Sequence, residues 1–432
     1  GVMLPPNMRQ LDVHFRRADY SLFEVAFHSD TTDLKYLMRC STPLPDGNCG
    51  LRLDETGYHV LAESNRGRGP LTITVRGTDD SGTSVGTSTP VAIQFAQEPV
   101  EGAIYYWRVQ GNNDQSSRIM RYDFGATGQT PQVFLSMNDG LPKCVGCHAL
   151  SRDGTKMIAS MGGQNDGRNV YLRDLSKPKS DPSFFALKGD ETSRIQFASF
   201  NADGTRFAAV YGDTEHSTPA ERNTLWFHDG NTGLRLPAES IALPFEPDHP
   251  DWSPDGKMIA VTNVGVHNTS QRPFAGSIEL LSLNGPSWGP PVNIVPRVAA
   301  KSRINPSFAP DSSFFVFTES TCPSGVDPTL EAPYDNRGGE CDGDDDPSSK
   351  VFAVKPQAGA LPTFLANADG PGVMDGAATD LTNTFPRFSP FQKAQGSGKL
   401  FWATITSRRR IGALNGGGEQ QLWMFAVDPA KI

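Results

Sequence analysis

The 432-residue sequence contains no apolar run long enough to span a bilayer, so it predicts no transmembrane helix. Basic residues are in deficit, because 39 Lys and Arg stand against 48 Asp and Glu, which leaves a formal net charge of −9. This balance argues against nucleic acid or an anionic membrane surface as the main partner. Residue 1 is glycine, so we expect a processed or trimmed chain whose signal peptide lies upstream of it.

Cysteine is scarce, and its six copies fall into three close pairs: Cys40 with Cys49, Cys144 with Cys147, and Cys322 with Cys341. The outer two pairs are predicted to be disulfides that each close a short loop; the alternative is four reduced, buried thiols. Disulfides persist in oxidising compartments. The sequence therefore predicts a periplasmic or extracellular location, which includes the cell surface.

The middle pair belongs to the run Cys144-Val145-Gly146-Cys147-His148. A C-x-x-C-H run is the attachment signature of a c-type haem, in which both thiols bond to the porphyrin and the histidine ligates the iron. The alternatives are a small disulfide or a partial zinc site. A zinc site needs further ligands, and the sequence has no second C-x-x-C and no H-x-x-H to supply them. We therefore predict one covalent haem c, with His148 as an iron ligand.

Residues 1–98 alternate apolar and polar positions in short runs, such as Leu11-Val13-Phe15 and Leu71-Ile73-Val75, separated by turn clusters. About seven such runs over roughly a hundred residues predict an immunoglobulin- or fibronectin-like β-sandwich. Its histidines, His14, His28 and His59, stand singly in predicted strands and are interpreted as structural. Nothing in this domain indicates catalysis, so we interpret it as a spacer or interaction module.

From residue 102 to residue 432 a different pattern repeats. Turns containing Asp153, Asp203, Asp255 and Asp311 follow one another at roughly fifty-residue intervals, and each precedes two apolar strands. Several strands in a unit of this length are typical of a β-propeller. Residues 102–135 provide strands of a further unit that lacks the aspartate turn. The fold class is therefore predicted as all-β, a sandwich followed by a six-bladed propeller, with seven blades as the less favoured count.

The S-P-D-G-K turn followed by an apolar strand resembles the TolB-type propeller repeat, and the resemblance covers residue 102 to the end. Residues 252–257 (Trp-Ser-Pro-Asp-Gly-Lys) match it best. Two turns depart from it: Ser312 stands where glycine is expected, and Phe391 where aspartate is expected. The C-x-x-C-H run resembles c-type cytochromes, although no helical cytochrome domain surrounds it. The repeat implies a fold and no chemistry.

Aligning the repeats places one residue of each unit at the same level of the innermost strands: Cys147, Phe197, His249, Asn305 and Phe385. His249 is the second histidine at the haem level, so we predict it as the other axial iron ligand. Phe197 and Phe385 are predicted to pack against the porphyrin. Arg387, with Arg194 and Arg303, is predicted to pair with the propionates or to remain a solvated charge.

The sixth iron position has further candidates, which are His216, His267, Met137 and Met374, and the alternative is a position left open. A second, weaker site is the run Asp342-Gly343-Asp344-Asp345-Asp346. Alternating aspartates and glycine can surround a calcium ion, but the spacing does not match an EF-hand loop. A solvated acidic loop is the slightly favoured interpretation of this run.

Three functions remain open on these residues. The favoured hypothesis is an exported single-haem c-type cytochrome that transfers one electron to or from a redox partner protein. The second is a haem peroxidase or oxidase with an open sixth iron position. The third is a binding scaffold in which the haem is structural. The first is favoured because no distal acid–base pair accompanies the motif in the sequence.

Overall fold

A computed structural model describes residues 2–8, 10–45, 47–109, 116–126, 128, 130–139, 144–161, 169–178, 181, 194–211, 218–264, 275–321, 346–370, 381–409 and 419–432. Within these ranges the chain is mostly β, as predicted. The described helices are all too short or too polar to cross a membrane.

The N-terminal part contains eight strands and one helix. The strands are β1 (Val2–Leu4), β2 (Leu11–Phe15), β3 (Leu22–Ser29), β4 (Thr32–Arg39), β5 (Cys49–Leu53), β6 (Leu71–Thr78), β7 (Val85–Thr87) and β8 (Val91–Phe95). One sheet has the order β1-β8-β6-β3-β4, with β7 paired to β6, and a separate pair joins β2 to β5. The β1–β8 pair is parallel and the remaining pairs are antiparallel.

Helix α1 (Glu55–Asn65) was not predicted, and it places His59 on a helix rather than in a strand. Its start is stabilised by Asp54, whose side chain accepts a hydrogen bond from the Gly57 amide at 2.7 Å. Its buried residues follow a helical spacing and pack into the core of the N-terminal sheet: Tyr58, Leu61, Ala62 and Asn65. The N-terminal core is therefore closed partly by a helix.

The disulfide between Cys40 and Cys49 is present, as predicted, and both residues are buried. The pair Cys322 and Cys341 lies outside the described residues. Replacing Cys40 and Cys49 together with alanine is expected to lower the free energy of unfolding of the N-terminal part by about 2–4 kcal/mol, since the unfolded chain gains loop entropy. Urea unfolding of both proteins, with the reduced wild type as control, measures this loss; equal midpoints would refute it.

Six sheets follow, each built from consecutive strands. Sheet 1 comprises β9 (Ala103–Arg108), β10 (Arg118–Asp123) and β11 (Gln132–Ser136), and sheet 2 comprises β12 (Gly146–Leu150), β13 (Lys156–Met161) and β14 (Asn169–Asp174). Sheet 3 comprises β15 (Phe197–Phe200), β16 (Arg206–Val210), β17 (Thr224–Asp229) and β18 (Ile241–Ala242), with helix α2 (Pro219–Arg222) before β17.

Sheet 4 comprises β19 (Pro247–Trp252), β20 (Met258–Asn263), β21 (Ser277–Asn284), β22 (Ser287–Trp288) and β23 (Val292–Val295). Sheet 5 comprises β24 (Lys301–Phe308), β25 (Phe315–Thr321), β26 (Lys350–Val354) and β27 (Thr363–Phe364). Sheet 6 comprises β28 (Thr384–Gln395), β29 (Gly398–Ser407) and β30 (Gln421–Val427). Short 3-10 helices cover Met137–Asp139 and Pro429–Lys431.

The first strands of sheets 2 to 6 contact one another in chain order, β12, β15, β19, β24 and β28. From sheet 3 to sheet 6, each neighbouring pair is joined by a backbone amide that donates to a side chain of the preceding sheet: Trp252 to Ser199 Oγ (3.0 Å), Phe308 to Asp251 Oδ2 (2.6 Å) and Phe388 to Ser307 Oγ (3.3 Å). In each pair the acceptor lies two residues after the aligned position of its strand and the donor lies three residues after it. This repeated spacing indicates that the strands run in the same direction. Sheets arranged in this way around their first strands form a β-propeller.

The contact between the two ends of this arrangement is of a different kind. Every described sheet from residue 103 onward uses strands that are adjacent in sequence, so none combines strands from both ends. Instead, the segment after β8 contacts the β28–β29 hairpin: Gln97 exchanges hydrogen bonds with Gln395 and Gly396 (2.9 and 3.0 Å), and Glu98 accepts from the Ala394 amide (3.1 Å). Side chains rather than a shared sheet therefore join the first and last parts of the propeller.

Candidate functional site

Most of the innermost strands contain a β-bulge at the aligned level. In sheets 2, 4, 5 and 6 the pairing with the second strand shifts at this level, whereas sheet 3 pairs regularly. Each shifted strand holds one residue there with positive φ: Cys147 (41°), His249 (41°), Asn305 (58°) and Phe385 (51°). A bulge redirects the side chain of its unpaired residue. Four separate strands therefore adopt an uncommon backbone conformation at the level where the sequence alignment predicted a site.

Burial at this level differs around the ring. His249 and Asn305 are fully buried, whereas Cys147, Phe197 and Phe385 are half-buried. The half-buried residues belong to the sheets on the side of sheet 1. The five residues Cys147, His148, Phe197, Phe385 and Arg387 are together called the channel cleft here.

Sheet 1 explains why the cleft lies on that side. Its strand β9 runs antiparallel to β12, whereas the other innermost strands run parallel to one another. Tyr105 O lies 3.2 Å from His148 Nε2, and Trp107 Nε1 donates to Val145 O at 2.7 Å. On its other side, sheet 1 approaches sheet 6, where Phe391 lies against Gly102. Sheet 1 thus fills the place between sheets 6 and 2 without a parallel innermost strand among the described residues.

The segment from Cys144 to His148 lies at this edge of the channel. Both cysteines are half-buried, and Cys144, like Cys147, has a positive φ (59°). Val145 between them is buried, and its amide donates to Ser117 Oγ at 2.8 Å. Gly146 faces the indole of Trp107, where a Cβ atom would lie 3.1 Å from Nε1. The buried valine and the close glycine contact hold the segment against sheet 1, while both cysteine side chains remain partly accessible.

His148 is placed to act as a neutral ligand. Burial is the main cause that lowers the pKa of its imidazole, and the nearby positive charge of Arg387 lowers it further, to about 4, although the contact with Tyr105 O acts in the opposite direction. The ring is therefore neutral near pH 7. A metal ligand must present an unprotonated nitrogen, so the local environment favours this role.

His249 has the most distinctive environment in the channel. Its ring stacks on Phe197 with centroids 3.7 Å apart, and Phe385 lies 6.0 Å away on a tilted plane. Neither ring nitrogen makes a hydrogen bond with the described residues. Buried polar atoms in native proteins are almost always paired, with protein, water or ligand. The imidazole is therefore held in place by aromatic contacts, and its two buried nitrogens make no hydrogen bond with the described residues.

A layer of charges lies two residues further along the innermost strands. Asp251 is almost fully buried, and Arg387 Nη1 lies 3.3 Å from its Oδ1 atom. Burial raises the pKa of the Asp251 carboxyl, and the positive charges of Arg387 and Arg152 oppose this rise. Arg152 extends from the turn of sheet 2 to donate to Trp252 O in sheet 4, so it crosses the channel at this end.

The predicted site residues have separate outcomes. The structure brings Phe197, His249 and Phe385 together and places Arg387 beside His148, with Arg387 engaged by Asp251. Arg303 is instead paired with Glu319 at 2.8 Å. Met137 packs against the hydrophobic core that contains Ile119 and Val145. The remaining candidates lie outside the described residues: His216, His267, Met374 and positions 342–345 of the acidic run.

Several residues of the site were not predicted. They are Asp248, Asn305 as a buried polar group, Asp251, Tyr105 and Trp107. The run Asp248-His249-Pro250-Asp251 was a usable signal, because two carboxylates flank a histidine at the aligned level. No group of three or more His, Cys, Asp or Glu side chains that could hold a metal ion occurs within the described ranges. The calcium hypothesis therefore stays a prediction.

Comparison with known proteins gives structural similarities only. No protein-family profile and no curated protein matches the sequence. TolB from Acinetobacter baumannii is similar at 14% identity, with 82% of this chain and 78% of that chain covered and a TM-score of 0.41. Prolyl oligopeptidase B from Galerina marginata is similar at 15% identity, covering 74% and 40%, with a TM-score of 0.38.

The β-propeller domain of the Trilobed protease from Pyrococcus furiosus, whose structure is described as an open velcro topology, is similar at 10% identity. The alignment covers 84% of this chain and 83% of that chain, with a TM-score of 0.35. With scores this low, the propeller assignment rests on the strand arrangement of the chain itself.

Proposed function

We propose that the chain is an exported, single-haem c-type cytochrome that transfers one electron from a β-propeller scaffold. The observation that carries this proposal is the position of the C-x-x-C-H segment. Its two cysteines are half-buried and its histidine is neutral, and His249, at the aligned position two sheets away, has ring nitrogens that make no hydrogen bond with the described residues. Two thiols and two imidazoles form the donor set of a bis-histidine haem c.

The residues present fit such a group. Cys144 and Cys147 would hold the porphyrin covalently, His148 would exchange its contact with Tyr105 O for the iron, and His249 would supply the second axial nitrogen. Phe197 and Phe385 offer apolar surfaces beside His249. When bound, the haem supplies an iron that exchanges one electron with little rearrangement of its ligands. The chain's own residues orient the imidazoles and limit the access of water.

The finer architecture belongs to the same proposal. We interpret sheets 1 to 6 as six blades, because each sheet is built from consecutive strands. We interpret residues 1–98 as an immunoglobulin-like module that carries helix α1 as an addition. The Cys40–Cys49 disulfide supports a periplasmic or extracellular location, since such bonds persist outside the cytoplasm and c-type haem is attached after export.

The intact mass of the protein tests the proposal. After export in a host that attaches c-type haem, the denatured protein is expected to exceed the polypeptide mass by one haem and to keep its colour. The Cys144→Ala/Cys147→Ala double variant is the matched control and should lose the covalent group. Extraction of all colour from the wild type into acidified acetone would contradict covalent attachment.

Spectra of the haem-loaded protein separate the proposed function from its alternatives. A six-coordinate, low-spin iron that does not bind cyanide readily supports electron transfer. A high-spin iron that binds peroxide favours the peroxidase or oxidase alternative. A low-spin iron that no redox partner protein or mediator reduces favours a structural haem on a binding scaffold.

A further inference from the structure

The residue before His249 contacts it twice. Asp248 Oδ1 accepts a hydrogen bond from the His249 amide at 2.7 Å and lies 3.3 Å from His249 Nδ1. Both residues are buried, with exposed fractions of 6% for Asp248 and 0% for His249. The carboxylate is therefore the nearest charge to one of the two ring nitrogens, in a region from which water is largely excluded.

A negative charge beside Nδ1 favours the tautomer that carries its proton on that atom. The lone pair is then left on Nε2, on the opposite side of the ring. In water the neutral imidazole has no such fixed partner. The low dielectric of the buried site strengthens the effect of the carboxylate on the ring.

The ring is also restrained in orientation. The stack on Phe197 fixes the plane of the imidazole, and the bulge with Pro250 immediately after it fixes the backbone. Metal-bound histidines commonly direct their second nitrogen at a carboxylate, which fixes the tautomer and increases the basicity of the ligand. In this chain a carboxylate, that of Asp248, likewise lies near the second nitrogen of His249 before any ligand is bound.

We infer that Asp248 is a positioning residue that keeps the proton of His249 on Nδ1 and so leaves the lone pair for a ligand on Nε2, a buried atom that makes no hydrogen bond with the described residues. The identity of that ligand as haem iron rests on the proposed function, whereas the tautomer does not. If haem iron were the ligand, the Asp248 carboxylate would increase the basicity of His249 and would favour the oxidised iron. Asp248 would thus lower the midpoint potential without contacting the haem.

The haem-free protein, prepared as the Cys144→Ala/Cys147→Ala variant, provides the first test. Two-bond ¹H–¹⁵N spectra of the histidine rings, with His249→Gln to assign the signal, are expected to show the Nδ1–H form at neutral pH. Asp248→Asn keeps an acceptor for the His249 amide and removes the charge, so the Nδ1–H population should fall several-fold. A predominant Nε2–H form in the parent, or an unchanged population in Asp248→Asn, would overturn the inference.

The haem-loaded protein provides the second test. In Asp248→Asn the midpoint potential should rise and cyanide should displace His249 more readily, because the histidine loses a partner that increases its basicity. Asp203→Asn, in an exposed turn of sheet 3, is the control and should change neither. Absence of covalent haem in the wild type refutes the proposed function alone. Haem with an unchanged potential in Asp248→Asn refutes the positioning role alone.

Discussion

Replacing His249 with alanine is expected to convert the haem-loaded protein from low-spin to high-spin iron and to open the iron to cyanide. His249 is the only histidine at its level besides the motif itself, and its nitrogens make no hydrogen bond with the described residues. Alanine removes the ligand and leaves a space in the channel. A bis-histidine iron should also have a lower potential than a histidine–methionine iron, because a thioether favours the reduced state.

Visible absorption spectra with and without cyanide measure this change. His228→Ala is the matched control, since His228 is equally buried, stacks on Phe207 and contacts Gly233 O at 2.9 Å away from the cleft. Both variants lose a packed imidazole, but only His249→Ala should alter the spectrum. If the spectrum of His249→Ala equals that of the wild type, the ligand is another residue, and Met137, His216, His267 and Met374 should be replaced next.

Replacing Asp251 with alanine is expected to destabilise the propeller by about 1–3 kcal/mol, the cost of leaving a buried hydrogen-bond donor without its acceptor. The Asp251 side chain accepts from the Phe308 amide at 2.6 Å and lies 3.3 Å from Arg387. Its loss leaves the Phe308 amide without its acceptor and removes the countercharge of Arg387 and Arg152. The neighbouring sheets 4, 5 and 6 all meet at this residue.

Urea unfolding followed by tryptophan fluorescence measures the loss. Asp203→Ala is the control, because Asp203 accepts from the Thr205 amide at 2.9 Å in an exposed turn and should cost about 1 kcal/mol. Asp251→Asn keeps an acceptor for the amide and should fall between the two. Equal losses for Asp251→Ala and Asp203→Ala would show that the buried charges do not stabilise the fold.

The repeated turn could be predicted from sequence because residues adjacent in the chain form all of its contacts. The turn of sheet 4 is an example: Ser253 Oγ donates to Asp255 at 2.6 Å, and Asp255 accepts from the Lys257 amide at 3.0 Å. Such a turn is encoded by five adjacent residues, so its recurrence locates the strands around it. Helix α1 is also encoded by adjacent residues, with Asp54 as its N-cap. It was missed because the apolar residues of this segment were interpreted as the apolar–polar alternation of a strand.

The site could be predicted only in part, because its contacts join distant strands. The shared level of Cys147 and His249 followed from aligning the turns, and the bulges at that level agree with it. The pairing of Arg387 with Asp251 depends on the arrangement of sheets 4 and 6, so no spacing in the sequence indicates it. The reversed direction of β9, which places Tyr105 against His148, likewise follows from the tertiary arrangement.

The side-chain contacts that join the two ends of the propeller have a mechanical consequence. A strand ladder resists separation cooperatively, whereas the Gln97 and Glu98 contacts with the β28–β29 hairpin are few and partly exposed to water. A buried apolar cluster of Ala96, Val100, Leu400 and Trp402 adds to these hydrogen bonds, so side-chain packing holds this boundary together. Because Ala96 and Val100 cover Leu400 and Trp402, removing the N-terminal segment would expose this apolar face of sheet 6 to water.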